Sequence, residues 1–295
     1  MQTYRAAVIG SPIAQSKSPV LHRVAYDFLQ QVGWEYTKDE VTLEGLPSFI
    51  TQVKSNAKGQ AKENATWRGF SVTMPLKQAV MQYLDSVDEV ALETSAVNTV
   101  VVSCSADTPA GAQSTKDGDF DASTSEHVTL TGYNTDVYGI VQAVQTSEHF
   151  APTACSATPG STLILGNGAT SRSAKAAMHE MGFEDVAIAG RSGEFDVDIN
   201  DTDSLNLAAN EATCIVSTLP WGAADSILPK LDGEAISAKP FLECAFPKVL
   251  PSSIDGEVML AYQAIRQVEL MTRAQMSTSQ QSELLQRMLT ALSEV

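Results

Sequence analysis

The stretch Thr162 to Gly182, "TLILGNGATSRSAKAAMHEMG", is the strongest constraint on the fold of this 295-residue chain. An apolar, β-prone run meets a glycine turn, and an amphipathic helical pattern follows at once. "VAIAGRS" then supplies another strand. A strand feeding a helix feeding a strand folds as a right-handed crossover in a parallel sheet. The same alternation occupies the first half. "YRAAVIG", "WEYTKDEVT" and "RGFSVTMP" read as strands, separated by helical patterns at "PVLHRVAYDFLQQVG" and "LEGLPSFITQVKSN". A third helix is expected from about Leu76 to Leu84. "SAVNTVVV" and "VTLTGYNTD" read as two more strands, with Ser103 to His127 between them as a polar hairpin insertion. "CIVSTLPWG" and "PFLECAF" continue the second unit. Two helices, about Val258 to Arg273 and Ser279 to Leu292, close the chain. The length exceeds one small core, so the expected class is a two-domain α/β protein.

Charge and composition narrow the partners. The formal net charge is −16, which repels nucleic acid and anionic membrane, so neither is expected as a partner. No apolar run approaches the roughly 18 residues of a span. "MQTYRAAVIG" lacks the regions of a signal peptide. Cys104, Cys155, Cys214 and Cys244 are far apart and form no C-x-x-C pair. Neither a metal site nor a disulfide framework is expected, and a cytoplasmic location fits.

The glycine turn points to a nucleotide. Gly166 makes the tight turn and Gly168 lets backbone approach a pyrophosphate at the following helix N-terminus. Ser171 replaces the third glycine of the usual fingerprint. After the next strand stands Gly190-Arg191-Ser192, where an NAD site usually carries Asp or Glu. An arginine there favours the 2′-phosphate of NADP, with Ser192 able to add a hydroxyl hydrogen bond. Arg191 also reads as a solvated loop residue, and Glu194 close by opposes the NADP reading.

Polar residues gather at strand ends in the first half. "GSPIAQSKSP" lacks the Gly-Lys-Ser/Thr ending of a P-loop. Ser18 before Pro19 reads as a helix N-cap with proline at N1. Lys77, two residues after Pro75, is either a solvated strand-end charge or a residue held for chemistry. Asp136, at a helix start, could serve the helix dipole alone. Asn98 follows an apolar run, where a buried amide must be hydrogen-bonded. Ser16, Ser18, Thr73, Lys77, Asn98 and Asp136 all fall at strand ends or adjoining turns, where parallel sheets collect ligands.

Taken in order, "SPIAQSKSP", "GFSVTMPLK", "AVNTVV", "GYNTDVYG", "LGNGATSR" and "MLAYQA" resemble the quinate/shikimate dehydrogenase family. The resemblance runs over nearly the whole chain outside the Ser103–His127 insertion. It implies a substrate-binding three-layer α/β domain with a mostly parallel sheet, formed by residues 1–135 and 257–295. It also implies a Rossmann-like nucleotide-binding domain over 136–256. The implied activity is reversible NADPH-dependent reduction of 3-dehydroshikimate to shikimate, in aromatic amino acid (chorismate) biosynthesis. Lys77 and Asp136 match the family's catalytic pair. Ser16, Ser18, Thr73, Asn98 and Gln263 match its substrate-binding residues. Gly166, Gly168, Ala169 and Arg172 match its nucleotide loop, and Arg191 its 2′-phosphate arginine. NADP is the expected cofactor, with NAD possible, and the expected assembly is a monomer or a homodimer.

Several positions depart from the family pattern. Ser71 replaces the usual Asn before Val-Thr, and Gln15 the usual His. Phe195 stands near the place of a second NADP-loop arginine. "VSTLP" replaces Asn-Ala-Thr-Pro, and Glu243 to Phe246 replaces Asp-x-x-Tyr, removing a site tyrosine. An NAD-dependent quinate/shikimate dehydrogenase is one alternative. A catalytically silent metabolite- or nucleotide-binding protein on the same fold is another.

Overall fold

A computed structural model describes residues 3–57, 65–104, 127–147, 160–220, 222–237, 239–244 and 253–295. The central part of the Ser103–His127 insertion, the "APTACSATP" stretch and Phe246 lie outside the described residues.

The first sheet contains β1 (Thr3–Gly10), β2 (Trp34–Glu40), β3 (Ala65–Val72), β4 (Ser86–Val87), β5 (Thr99–Cys104) and β6 (Val128–Tyr133). Its order is β2-β1-β3-β5-β6-β4. β1 pairs in parallel with both β2 and β3, whereas β5 runs antiparallel to β3 and to β6. The second sheet is parallel throughout, in the order β11-β10-β7-β8-β9. Its strands are β7 (Ser161–Leu165), β8 (Asp185–Gly190), β9 (Val197–Asp198), β10 (Cys214–Ser217) and β11 (Phe241–Glu243). β7, β8 and β10 are apolar almost end to end, as strands covered on both faces must be.

Helices follow strands as the alternation requires. α1 (Ser18–Phe28) follows β1, α2 (Leu46–Ala57) follows β2, and α6 (Ala169–Glu180) follows β7. The segment after β3 is shorter than the expected helix over Leu76 to Leu84. It begins as α3 (Leu76–Ala79) and tightens into a 3₁₀ turn, Val80–Tyr83. Helix α4 (Glu89–Thr94), capped by the Asp88 carboxylate, was not expected from sequence, and neither was α7 (Thr202–Glu211). After two short helices, α8 (Ala224–Ile227) and α9 (Gly233–Ser237), both expected C-terminal helices form, α10 (Gly256–Thr272) and α11 (Thr278–Leu292), the second with a complete capping box at Ser277 and Gln280.

Helix α5 (Thr135–Gln145) leaves the first sheet and packs on α10 and α6. A Cβ on Gly139 would stand 2.7 Å from the Met259 carbonyl, so glycine allows α5 and α10 to cross closely. That crossing brings the Asp136 and Gln263 side chains to the same place. Apolar cores lie on both faces of the second sheet. Another core joins α1 to α10 and α11 through Leu21, Ala25, Ile265, Val268, Leu284 and Met288.

Candidate active site

One cleft of about 820 Å³ collects every first-half residue singled out in the sequence, together with Gln263 from near the C-terminus. Ser16, Ser18, Thr73, Lys77, Asn98, Asp136 and Gln263 all line it. They come from the carboxyl ends of β1, β3 and β6, the start of antiparallel β5, and helix α10. The second sheet contributes Thr170, at the start of α6, and Cys244, just after β11. The cleft therefore lies between the carboxyl ends of the two sheets.

At its centre Lys77 Nζ donates to Asp136 Oδ2 at 2.5 Å, with side-chain exposures of 14% and 7%. Such burial removes Lys77 from the class of solvated strand-end charges. Asn134 caps α5 by accepting from the Asp136 N–H, which places Asp136 in the first helical turn. A carboxylate is favoured there by the helix dipole. Its other oxygen, Oδ1, accepts from Asn98 Nδ2 at 2.7 Å.

Asn98 is itself tightly held, answering the demand that its buried amide be paired. Its Nδ2 also faces Thr135 Oγ1 at 3.0 Å and Gln263 Oε1 at 3.4 Å, and its Oδ1 accepts from Thr135 N and Thr99 Oγ1, each at 2.8 Å. Gln263 Nε2 donates to the Leu260 carbonyl at 2.8 Å. Two lysines line the cleft, and each faces a carboxylate: Lys77 faces Asp136, and Lys17 faces Glu257 at 2.8 Å. The Cys244 thiol is pushed up by burial first, then by the nearby charges of Glu243 and Asp136. It stays protonated and is a poor nucleophile.

Ser18 corrects its expected role. It is the first helical residue of α1, Lys17 is the N-cap, and no side chain caps that helix. The Ser18 hydroxyl instead accepts from Ser16 Oγ at 3.3 Å, on the cleft side.

The glycine turn forms between β7 and α6. Gly166 has φ +101° and packs against Thr218, where a Cβ would come within 2.8 Å of Oγ1. Gly168 is the α6 N-cap; no side chain caps the helix, and a Cβ at Gly168 would meet nothing within 4 Å. Uncapped N–H groups beside open space fit the phosphates of a dinucleotide. Ala169 begins the helix. Thr170 borders the cleft, while Ser171 and Arg172 border a second groove of about 740 Å³, which Asn167 and Ser192 also line. A molecule laid across the first turn of α6 reaches both cavities.

Asn167 Nδ2 donates to the Ser192 carbonyl, tying the glycine turn to the β8 loop. Arg191 is exposed at the end of β8 and lies outside the residues lining that groove. Arg172 serves a contact that the sequence did not suggest. Its Nε donates to the Thr94 carbonyl at 2.7 Å and Nη2 to the Ser95 carbonyl at 3.2 Å, closing the C-terminus of α4.

Sequence reasoning missed Gln267, which lines the cleft four residues after Gln263, one turn along α10. The i, i+4 spacing was the available signal. Tyr36 and His22 were missed as well. They reach the cleft wall from β2 and α1, and no local pattern marks them. Among the described residues there is no cluster of His, Cys, Asp and Glu able to hold a metal, and no helix long and apolar enough to cross a membrane.

Comparison with known proteins agrees with this arrangement. Residues 8–100 match the family model of the shikimate dehydrogenase substrate binding domain. The crystal structure of Mycobacterium tuberculosis shikimate dehydrogenase superposes with a TM-score of 0.70 at 26% identity, covering 99% of this chain and all of that one. The Thermus thermophilus enzyme, solved with NADP(H) and shikimate, gives 0.66 at 25% identity, covering 97% and 100%. The pentafunctional AROM polypeptide of Saccharomyces cerevisiae is 28% identical over 303 residues, covering 90% of this chain. The chain spans only 16% of that polypeptide's length. With the two-sheet fold, the cleft and the glycine turn in place, the chain is similar to shikimate dehydrogenases over nearly its whole length, and residues 8–100 carry the match to their substrate binding domain.

Proposed function

We propose that this protein is a shikimate dehydrogenase that reversibly reduces the ring ketone of 3-dehydroshikimate to the hydroxyl of shikimate, with NADPH as reductant. One observation carries the reading: the Lys77–Asp136 pair at 2.5 Å, its carboxylate buried and its lysine largely shielded, in a cleft lined by hydroxyls and amides beside the glycine turn. The Thermus relative, solved with NADP(H) and shikimate, supports the choice of ligands.

The bound nicotinamide supplies the hydride, and the chain supplies position and a proton. Lys77 delivers its proton to the carbonyl oxygen in reduction and takes the hydroxyl proton in oxidation. Asp136 aims the lysine, and Asn98 holds the second carboxylate oxygen so that the pair does not rotate. Ser16, Ser18, Thr73, Asn98 and Gln263 are assigned to the substrate, whose carboxylate and hydroxyls need donors and acceptors on several sides. Gly166, Gly168 and Ala169 are assigned to the dinucleotide phosphates, and Arg191 and Ser192 to the 2′-phosphate. Arg172 belongs to the same region and, through its bonds to Thr94 and Ser95, supports α6 from behind. Residues 1–135 and 257–295 form the substrate-binding domain in this reading, and 136–256 the nucleotide-binding one.

NAD is the alternative cofactor, favoured by Phe195 near the place of a second arginine and by exposed Glu194. Absorbance at 340 nm, with shikimate or quinate offered against NADP⁺ or NAD⁺, tests the reading. Turnover with shikimate and NADP⁺ well above the other pairs is expected. Absence of turnover with every pair would leave a silent binding protein.

A further inference from the structure

Around Ser71 the cleft wall holds a network whose proton directions follow from counting donors. Gln267 Nε2 donates to Thr99 Oγ1 at 3.0 Å and to the Asn98 carbonyl at 3.4 Å. Thr99 uses its own proton on Asn98 Oδ1. The amide is thereby fixed with Oε1 turned toward Ser71 and His22. An amide oxygen only accepts. Ser71 Oγ therefore donates to it at 2.8 Å, and His22 Nε2–H donates at 3.1 Å. The other nitrogen, Nδ1, is left to accept from the Tyr26 hydroxyl at 3.3 Å.

A serine has one proton, and Ser71 has given it to Gln267. The Tyr36 hydroxyl, 2.7 Å from Ser71 Oγ, must then be the donor in that pair. Burial raises the Tyr36 phenol well above its ordinary range, so it keeps its proton. The Tyr36 ring is held by stacking on His22, with centroids 3.7 Å apart. Ser71 oxygen has donated once and accepted once. Its second lone pair is all it has left, on a residue 4% exposed that lines the cleft. The asparagine usual in the family at this position carries N–H donors, so the substitution removes donor capacity there.

We propose that Ser71 is a specificity-determining residue: with its proton held by the Gln267 oxygen and one lone pair taken by Tyr36, it meets a ligand only as an acceptor, so this point of the cleft takes a ligand hydroxyl and rejects a group that only accepts. The inference rests on the proposed polyhydroxylated ring acid as substrate. A ligand acceptor placed there would face another acceptor, and both would be left unpaired in a dry wall.

The test is a binding titration, followed by tryptophan fluorescence, of shikimate and of analogues in which one ring hydroxyl at a time is replaced by hydrogen or by fluorine. In the natural protein, one position should discriminate by roughly tenfold or more, with fluorine no better than hydrogen, since neither donates. Ser71→Ala should abolish the discrimination at that position. Fluorine restoring affinity in the natural protein would overturn the proposal, and so would discrimination that survives Ser71→Ala. The natural-protein series decides alone if Ser71→Ala does not fold. If shikimate itself neither binds nor turns over, the functional reading has failed first; if it does and no position discriminates, only the Ser71 inference has failed.

Discussion

His22 takes no part in the proposed proton transfer, yet its ionisation bears directly on the stability of the folded chain. It is fully buried, and desolvation lowers its pKa to about 3, against a hydrogen bond to Gln267 that raises it. Unfolded, the ring takes a proton near pH 6.5. Between those values the unfolded state binds more protons than the folded one, so stability rises with pH and falls on acidification. The loss accumulates at about 1.4 kcal/mol per pH unit below 6.5, on the order of 4 kcal/mol near pH 3. His22→Phe should flatten the dependence of urea-unfolding free energy on pH between 6.5 and 4.5 by about that slope. Equal slopes in both proteins would exclude His22 as the source. None of this is visible in the sequence, where His22 stands inside an amphipathic helix like any surface-to-core residue. Lys77, Asp136 and Asn98 were legible, because ionisable and amide side chains beside apolar strands demand a partner. Their partners are 59 and 38 residues away in the chain, so the pairing itself needed the fold.

Among the elements, the β7–α6 unit separates what glycine does for the fold from what it does for a ligand. Gly166 has positive φ and a neighbour within 2.8 Å of any Cβ, so Gly166→Ala should cost stability, on the order of 1–3 kcal/mol. Gly168 has φ −88° and open space, so Gly168→Ala should leave the melting temperature unchanged. Its methyl group would stand where the pyrophosphate is proposed to approach, and on that proposal the Kd for NADPH should rise at least about tenfold. A lowered melting temperature with unchanged Kd would contradict that division. The unit was legible because an apolar run, a glycine pair and a 3.6-residue period occur together. Elements of two to five residues, such as β4 and β9 and the short helices Ala224–Ile227 and Gly233–Ser237, carry no period to read. The expected helix over Leu76 to Leu84 ended early, tightening to 3₁₀ after Ala79 and ending where Leu84 turns extended toward the short strand β4.

On the scale of the whole molecule, the two sheets turn their carboxyl ends toward one cleft, and α5 and α10 cross beside it. The two-sheet α/β class followed from the alternation of strands and helices, since each β–α step dictates a parallel neighbour. The direction of β5, antiparallel to both of its neighbours, followed only in outline, from reading the long Ser103–His127 segment as a hairpin insertion. The return of α10 to the first sheet, which delivers Gln263 and Gln267, depends on long-range packing that no local pattern encodes. Arg172 shows the same limit, since its carbonyl partners at Thr94 and Ser95 lie nearly eighty residues earlier. All these placements converge on Lys77, held by Asp136 and proposed as the proton donor of the cleft. The direct test is the steady-state rate at 340 nm with shikimate and NADP⁺ for the natural protein, Lys77→Ala, Asp136→Asn and the double variant. Lys77→Ala should lose roughly 10²–10⁴-fold in kcat with KM changed only a few-fold. Asp136→Asn should lose nearly as much, and the double variant no more than Lys77→Ala alone. An unchanged kcat in Lys77→Ala would contradict the account.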